Sequence, residues 1–390
     1  MGPAAAFRLI GSRQFAPYFA GNALSASGTW FQNLAGAILV FRLTHSALLL
    51  GVLSFAQFAP TLILAPWTGS AADRFDRRSL LLVTQPAAAL LSALLALFTQ
   101  LDLATAALVI GFGLGQGVAT AFSTPAQQAL FVSLVPREDV ASAVALNSMT
   151  FNIARAVGPA AAGATVAGLG IAAAFAINAA SYLVFALALL FVHPRRQERP
   201  ESSRLRDSFQ LLREEPRLAV ALAIVAAVGF TSDPINTLAP AFAHAFGRPD
   251  TFSGYIIGAF GAGAVTAAFV LAGRQPSRAR TAATLALLGG GVIAFSLSPF
   301  LPLAFGLLFL GGFGYLASNT AATSFLQLGV AENQRGRIMA LWSIAFLGLR
   351  PFASLVDGAI ASSFGVRAAG VALSVPALVA AVVVARLRRP

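Results

Sequence analysis

Leu80–Phe98 reads LLLVTQPAAALLSALLALF and Ala368–Ala385 reads AAGVALSVPALVAAVVVA, and neither stretch holds a charged residue. Each comes close to the ~20 residues that a helix needs to cross the hydrocarbon of a bilayer. Leu48–Gly69 is a third run of the same kind. Barrel strands would be about half as long and would alternate polar with apolar residues; these runs do not alternate. The whole chain shares their character: of 390 residues, 57% are hydrophobic and 10% charged, and the mean hydropathy is +0.78. A soluble domain carries about a quarter charged residues, so this chain lacks the polar side chains to cover itself in water. Inside lipid every backbone N–H and C=O must be satisfied within the protein, which leaves helices or a closed barrel. The expected fold class is therefore all-α, a polytopic membrane protein of about twelve transmembrane helices in two six-helix bundles.

The expected spans are Phe15–Phe41, Leu48–Ser70, Ser79–Gln100, Leu103–Ser123, Val140–Val166 and Ile171–Val192 in the first half. The second half gives Leu218–Phe246, Phe252–Ala272, Arg280–Ser298, Phe300–Leu326, Ile338–Ser362 and Arg367–Ala385. Arginine placement then fixes an orientation, because cytoplasmic loops carry the excess of basic residues. With both termini cytoplasmic, the 26 basic residues, all Arg, fall on the cytoplasmic side except Arg42, Arg248 and Arg367 opposite and Arg155 and Arg350 within helices. Met1–Arg13 has no apolar core of the kind a cleavable signal requires, so the first apolar stretch is expected to stay as a helix. The organisation is an N-terminal bundle at 1–193, a cytoplasmic linker at 194–217 and a C-terminal bundle at 218–390. The linker mixes Arg and Glu with Pro194, Pro200 and Pro216 and is expected to carry a short surface helix over Ser208–Glu214.

Several function classes drop out. The chain has no Cys, which removes disulfides, thiolate metal sites and thiol catalysis. His45, His193 and His244 are far apart in sequence at expected helix ends, so no metal site is expected. The net charge of +12 sits in membrane-flanking loops, as a lipid-facing protein requires, and nucleic acid is not an expected partner. No nucleophile–base cluster and no Gly-rich phosphate loop occurs; the reading is of a non-enzyme without cofactor and without direct ATP drive. A scaffold or membrane enzyme is the alternative outside the transporter class.

The two halves echo one another. A shift of 195 residues superposes Arg155 on Arg350, Ala145-Leu146 on Ala340-Leu341, Phe151 on Phe346, Gly163 on Gly358, Gly117 on Gly312 and Ser123 on Ser318. Repeats of the same topology, with a substrate site between bundles, are one of the arrangements found in secondary transporters.

Three segments carry a family resemblance. Gly69-Ser-Ala-Ala-Asp73-Arg74-Phe-Asp76-Arg77-Arg78 resembles the G-x-L-A-D-R-x-G-R-R signature of the major facilitator superfamily, with Asp76 where Gly is usual. Gly158-Pro159-Ala-Ala-Ala-Gly163 in the fifth stretch is similar to the antiporter signature G-x-x-x-G-P-x-x-G-G, with Ala at two Gly positions. There Pro159 removes a helical hydrogen bond, and the glycines admit close packing. The segments Val135–Asn147 and Arg335–Pro351 resemble the branch that holds the enterobactin exporter and macrolide-efflux proteins among drug:proton antiporters. The resemblance implies two six-helix bundles, alternating access, and a conformational-gating loop at Gly69, Asp73, Arg74, Arg77 and Arg78. One departure bears on mechanism. Many drug antiporters carry R-x-x-Q-G in the fourth stretch, whereas here Gln116-Gly117 follows Gly113, so proton coupling has to use other residues.

Those residues are sought among charges inside the spans: Arg155, Asp233, Arg350 and Asp357. A charge at mid-bilayer costs about 2.5–3.5 kcal/mol on insertion scales and marks function by default. Asp233, just before Pro234, is the expected proton exchanger, with Arg155 and Arg350 gating a cavity or binding anionic groups; static ion pairing is the alternative. Arg350 and Asp357 lie two turns apart, about 10.5 Å along an axis, too far for direct contact unless the side chains lean together. Asn22, Gln32, Gln116, Asn236 and Asn319 are polar substrate-site candidates, along with Asn33, Gln57, Asn147 and Asn152, and Trp30, Tyr255, Tyr315 and Trp342 are aromatic ones. The leading reading is a monomeric, proton-coupled exporter of amphipathic small molecules, drug or siderophore, in a bacterial cytoplasmic membrane. Uptake and lipid translocation by the same fold are the alternatives.

Overall fold

The computed structural model describes residues 8–194, 212, 215–331 and 334–386. Every regular element among them is helical. The helices are α1 (Phe15–Thr44), α2 (Ala47–Ile63), α3 (Ala65–Arg74), α4 (Arg77–Gln100), α5 (Ala106–Ser133), α6 (Val140–Leu169) and α7 (Ile171–Leu190). They continue as α8 (Pro216–Thr237), α9 (Ala239–Ala245), α10 (Ser253–Val270), α11 (Arg278–Leu297), α12 (Leu301–Leu328), α13 (Arg335–Ser343), α14 (Arg350–Phe364) and α15 (Val366–Arg386). Nine helical spans among the described residues are long and apolar enough to cross a membrane. Of the other expected spans, α1 is diluted by Asn22, Ser25, Ser27, Gln32 and Asn33, and α2 is 17 residues long. The expected surface helix at Ser208–Glu214 lies outside the described residues apart from Leu212.

Proline explains where expected spans divide. The second runs as α2 and α3, broken at Leu64, with Pro66 in the first turn of α3. The seventh runs as α8 and α9, broken at Leu238, with Pro240 in the first turn of α9. Proline lacks an N–H and is tolerated in a helix's first turn, where that donor has no partner in any case. The eleventh becomes α13, a π-helical segment at Ile344–Gly348, and α14, with Pro351 in its first turn. The fourth extends to Ser133 rather than ending at Ser123, passing through Pro125.

The outward faces are apolar. On α4, Val83, Leu90 and Leu97 are exposed at seven-residue spacing, and on α15 Val375, Val379, Val382 and Val383 form one stripe. Exposed stripes of this kind are what a lipid-facing helix presents, since backbone groups are already satisfied and only hydrocarbon remains outside.

By their contacts the residues fall into two compact units: Met1–Thr44 with Ala56–Pro200, and His45–Phe55 with Glu201–Pro390. The units share a building plan. In the first, Gly170 at φ 87° makes the one-residue turn between α6 and α7; in the second, Gly365 at φ 88° does so between α14 and α15. A side chain rarely adopts that backbone conformation, so both turns require glycine, and they stand 195 residues apart. Arg78 donates from Nε to the Leu189 carbonyl at 2.8 Å and from Nη2 to that of Leu190 at 2.9 Å. Arg278 does the same to Val384 at 2.6 Å and Ala385 at 3.2 Å. Each guanidinium thus closes the carbonyl end of the last helix of its unit, where a cation is also favoured by the helix dipole.

The Gly117/Gly312 pair has matching duties. An added Cβ on Gly117 would come within 2.5 Å of the Gln57 carbonyl oxygen, and one on Gly312 would overlap that of Phe260. Gly312→Ala is therefore expected to cost about 1–3 kcal/mol, as overpacking does, and to lower the thermal unfolding midpoint of the detergent-purified protein. Gly306→Ala, on the same α12 but facing open space, is the control that should leave the midpoint in place.

Candidate coupling and transport site

Three of the four ionisable residues named within the spans, Asp233, Arg350 and Asp357, lie in the second unit. Asp233 sits in the last turn of α8 and is 1% exposed; its Oδ1 accepts from Arg350 Nε at 3.1 Å and its Oδ2 from Thr237 Oγ1 at 3.0 Å. Thr237 is one helical turn beyond Asp233, so the two side chains share a face. Ser54 Oγ, from the part of α2 that belongs to this unit, lies 3.4 Å from Thr237 Oγ1. Arg350 opens α14 directly after the π-helical segment, a wide turn of a type frequent at functional sites. Asp357, two turns further along α14, is fully buried, and neither of its carboxyl oxygens has a hydrogen-bond partner. It is nevertheless close enough to Asp233 and Arg350 for both to act on it electrostatically. The contact that Arg350 makes is with Asp233.

Backbone packing closes one side of this cluster. An added Cβ on Gly51 would overlap the Ser354 carbonyl oxygen, and one on Gly358 would lie 3.0 Å from the Ala47 carbonyl oxygen and 3.2 Å from Gly51 Cα. The two helices therefore meet with no side chain between them, as small residues allow in membranes. Near the π-helical segment an aromatic wall forms: Trp342 stacks on Phe346 with centroids 5.0 Å apart, Tyr315 lies 6.5 Å from the same ring, and Trp342 Nε1 donates to Thr323 Oγ1 at 2.9 Å. Asn319 is half-buried with its Oδ1 unpartnered, and Asn236 donates to the Ser232 carbonyl at 2.8 Å. Tyr255 is 52% exposed and packs on Phe252.

The first unit holds a neutral counterpart. Gln116 Nε2 donates to Ser92 Oγ and to the Ala88 carbonyl, both at 2.8 Å; Ser92 Oγ donates to Gln32 Oε1 at 3.2 Å. Asn178 Nδ2 reaches Gln32 Oε1 at 3.1 Å and Ser92 Oγ at 3.2 Å. This lattice ties α1, α4, α5 and α7 together with amides and a hydroxyl. Gln32 and Gln116, expected as cavity candidates, are committed to it, although Gln116 Oε1 remains unpartnered. Ser92 and Asn178 are not singled out by sequence; the signal available for Asn178 was an amide in the middle of the largely apolar α7. Asn22 donates to Asn147 Oδ1 at 3.0 Å. Arg155 is half-buried on α6 in this unit. Gly158, on the same helix, accepts the Trp30 side chain, whose Cβ would lie 2.9 Å from an added Cβ; α6 runs unbroken through Pro159, and Gly163 is buried. The side chain of Asn152 lies outside the described residues.

The signature loop divides similarly. The side chains at Gly69 and Asp73 lie outside the described residues, and Arg74 is exposed. Arg77 Nη1 donates to the Ala129 carbonyl at 3.3 Å, and Arg78 closes α7 as described above. Asp76, the departure from the signature, is the N-cap of α4: its Oδ2 accepts from the Ser79 N–H and hydroxyl, each at 2.8 Å. Asp76→Ala is expected to cost about 0.5–2 kcal/mol, the range for losing such a cap, with Asp76→Asn close to wild type in the same unfolding measurement. Among the described residues no three His, Asp or Glu side chains converge as a metal site would need.

Lipid-facing helices and two units on one plan, one of them holding a cluster of ionisable residues, define the architecture of a polytopic helical membrane protein. A solved bacterial homologue of the human lysosomal transporter Spinster shares it, with a TM-score of 0.75 at 14% identity over 98% of this chain and 97% of that one. The chain belongs to the major facilitator superfamily, in the family described as transmembrane secretion effector, which matches residues 4–390. It is 28% identical to the staphyloferrin A transporter of Staphylococcus aureus over 55% of this chain and 56% of that protein. It is 25% identical to the enterobactin exporter EntS of Shigella boydii over 87% and 86%, and 24% identical to macrolide efflux protein A of Streptococcus pyogenes over 58% of each. The match to the staphyloferrin A transporter thus spans little more than half of that relative's length. These relatives and the structural neighbour are transporters rather than enzymes.

Proposed function

We propose that this multi-pass transporter is a proton-coupled exporter of amphipathic small molecules, of drug or siderophore type, working by alternating access between bundles at 1–193 and 218–390. In this reading it crosses a bacterial cytoplasmic membrane about twelve times, with both termini and the 194–217 linker on the cytoplasmic side, where most of its arginines lie. The observation that carries the proposal is the cluster of Asp233 and Asp357, both buried among apolar helices, with the half-buried Arg350 paired to Asp233. Each charge there opposes insertion by about 2.5–3.5 kcal/mol, and packing alone would be served by apolar residues of similar volume. Siderophore and macrolide carriers among the relatives supply the substrate class, and the wall of Trp342, Phe346 and Tyr315 supplies an apolar, stackable surface for such molecules. The signature loop with Arg74, Arg77 and Arg78 and the packing of α6 at Gly158, Pro159 and Gly163 serve the conformational cycle. Arg155 and the amides Asn22, Asn236 and Asn319 contribute polar contacts to substrate or cavity, while Gln32 and Gln116 brace the first unit from within their buried lattice.

Proteoliposomes holding the full chain test this with staphyloferrin A, enterobactin and a macrolide as probes. An acid lumen is expected to drive accumulation of at least one probe, and a protonophore to abolish it. Accumulation driven by an alkaline lumen would support import by symport. Flux that ignores the gradient, for every probe, would remove the coupling.

A further inference from the structure

The cluster contains two carboxyls and one guanidinium, and its geometry treats the carboxyls unequally. Asp233 has a donor for each oxygen, Arg350 Nε on Oδ1 and the Thr237 hydroxyl on Oδ2. Asp357 has none for either, although it is 0% exposed. A carboxylate is acceptor-only, whereas a carboxylic acid brings one O–H donor. Two facing carboxylates sealed from water repel and leave the second without a donor; one proton placed between them removes both problems, as in carboxyl pairs that share a site. The acid with its oxygens unengaged is the one free to hold that proton, and the carboxylate beside it is the acceptor for its O–H.

Resting on the reading that transport is proton-coupled, we propose that Asp357 carries the transported proton, Asp233 stays as the counter-ion of Arg350, and the seam between Gly51 and Gly358 controls access to the acid. Asp357 precedes Gly358, where α14 and the 45–55 segment touch backbone to backbone, so no water reaches the carboxyl from that face while the seam is closed. The same segment carries Ser54, 3.4 Å from the Thr237 hydroxyl that holds Asp233. Lifting the segment therefore opens a water path to Asp357 and disturbs the hydrogen bonding of its partner together. The proton then leaves Asp357 for water, and the resulting carboxylate competes with Asp233 for the Arg350 guanidinium; uptake reverses these steps. The charged and titratable groups on the elements packed against α14 are Asp233 and Arg217 of α8, Arg367 and Arg386 of α15, and His45 just ahead of α2, its ring 6.4 Å from that of His244. Of these, Asp233, together with Arg350 of α14 itself, acts on Asp357.

Infrared spectroscopy of the full chain in lipid tests the assignment without a substrate. The wild type is expected to show the carbonyl band of a buried neutral carboxyl near neutral pH; Asp357→Glu should shift that band, and Asp357→Asn should abolish it in protein that still elutes as a folded species. Gly51→Leu, which holds the seam apart, should speed deuterium exchange of the band at least about tenfold. A wild type without the band, a band unmoved in Asp357→Glu, or a band retained in Asp357→Asn overturns the proton assignment, and unchanged exchange in Gly51→Leu overturns the seam. If Asp357→Asn does not fold, the shift or constancy of the band in Asp357→Glu decides the assignment alone. A band that behaves as expected in a transporter whose flux ignores the proton gradient would overturn the coupling reading and leave Asp357 as a protonated structural acid.

Discussion

Arg350→Ala is expected to destabilise the second unit by about 3–5 kcal/mol, the range for stripping one partner from a buried ion pair. Asp233 would keep only the Thr237 hydroxyl for its charge, and at 1% exposure it could not recover hydration. A large fall in the thermal unfolding midpoint of the detergent-purified protein is the readout. Arg350→Lys should fall between, because a single ammonium keeps the charge but not the planar donor geometry. Combining Arg350→Ala with Asp233→Asn removes both charges together, and most of the lost stability should return; a coupling of about 0.5–3 kcal/mol between contacting residues would register as non-additivity. A single variant as stable as wild type would show that the pair is solvated and is not the buried cluster described above.

Asp233→Asn is the second large effect, on transport rather than folding. The amide keeps the shape and still accepts from Thr237, but Arg350 loses its counter-ion and the carboxyl of Asp357 becomes the nearest anion available to it. Gradient-driven flux is expected to fall at least about tenfold, equivalent to ~1.4 kcal/mol of barrier, in protein that expresses and elutes normally. If the variant instead fails to accumulate as folded protein while its residual flux per molecule is unchanged, the pair is a static brace and the coupling role falls.

Sequence and structure part company at instructive places. The helical membrane fold was legible because runs such as Leu80–Phe98 admit no other state in lipid. Breaks inside spans were less legible: Pro66, Pro240 and Pro351 each start a helix, while Pro86, Pro125 and Pro159 sit inside continuous ones. Proline's chemistry is the same in both places, so local sequence alone does not tell these roles apart. The repeat was readable at Gly117 and Gly312, yet the matching turns at Gly170 and Gly365 need backbone dihedrals to be recognised. Of the cluster in the second unit, sequence named Asp233, Arg350 and Asp357, and one helical turn would have added Thr237. It could not reveal that Ser54 joins them, since that contact depends on how α2 packs. Asp76 shows the reverse case, in which a departure from a family signature is explained by a helix cap: its carboxylate accepts from Ser79, three residues on.

The most direct test of the coupled-exporter account is substrate-driven proton movement. Proteoliposomes carrying the full chain and a trapped pH indicator, with no initial pH gradient and with membrane potential clamped, receive staphyloferrin A, enterobactin or a macrolide outside. Exchange of substrate for proton predicts that the lumen turns alkaline as substrate enters, in whichever orientation the protein inserts, and that Asp233→Asn and Asp357→Asn abolish the change. A lumen that acidifies, or one that stays constant while substrate enters, would contradict it.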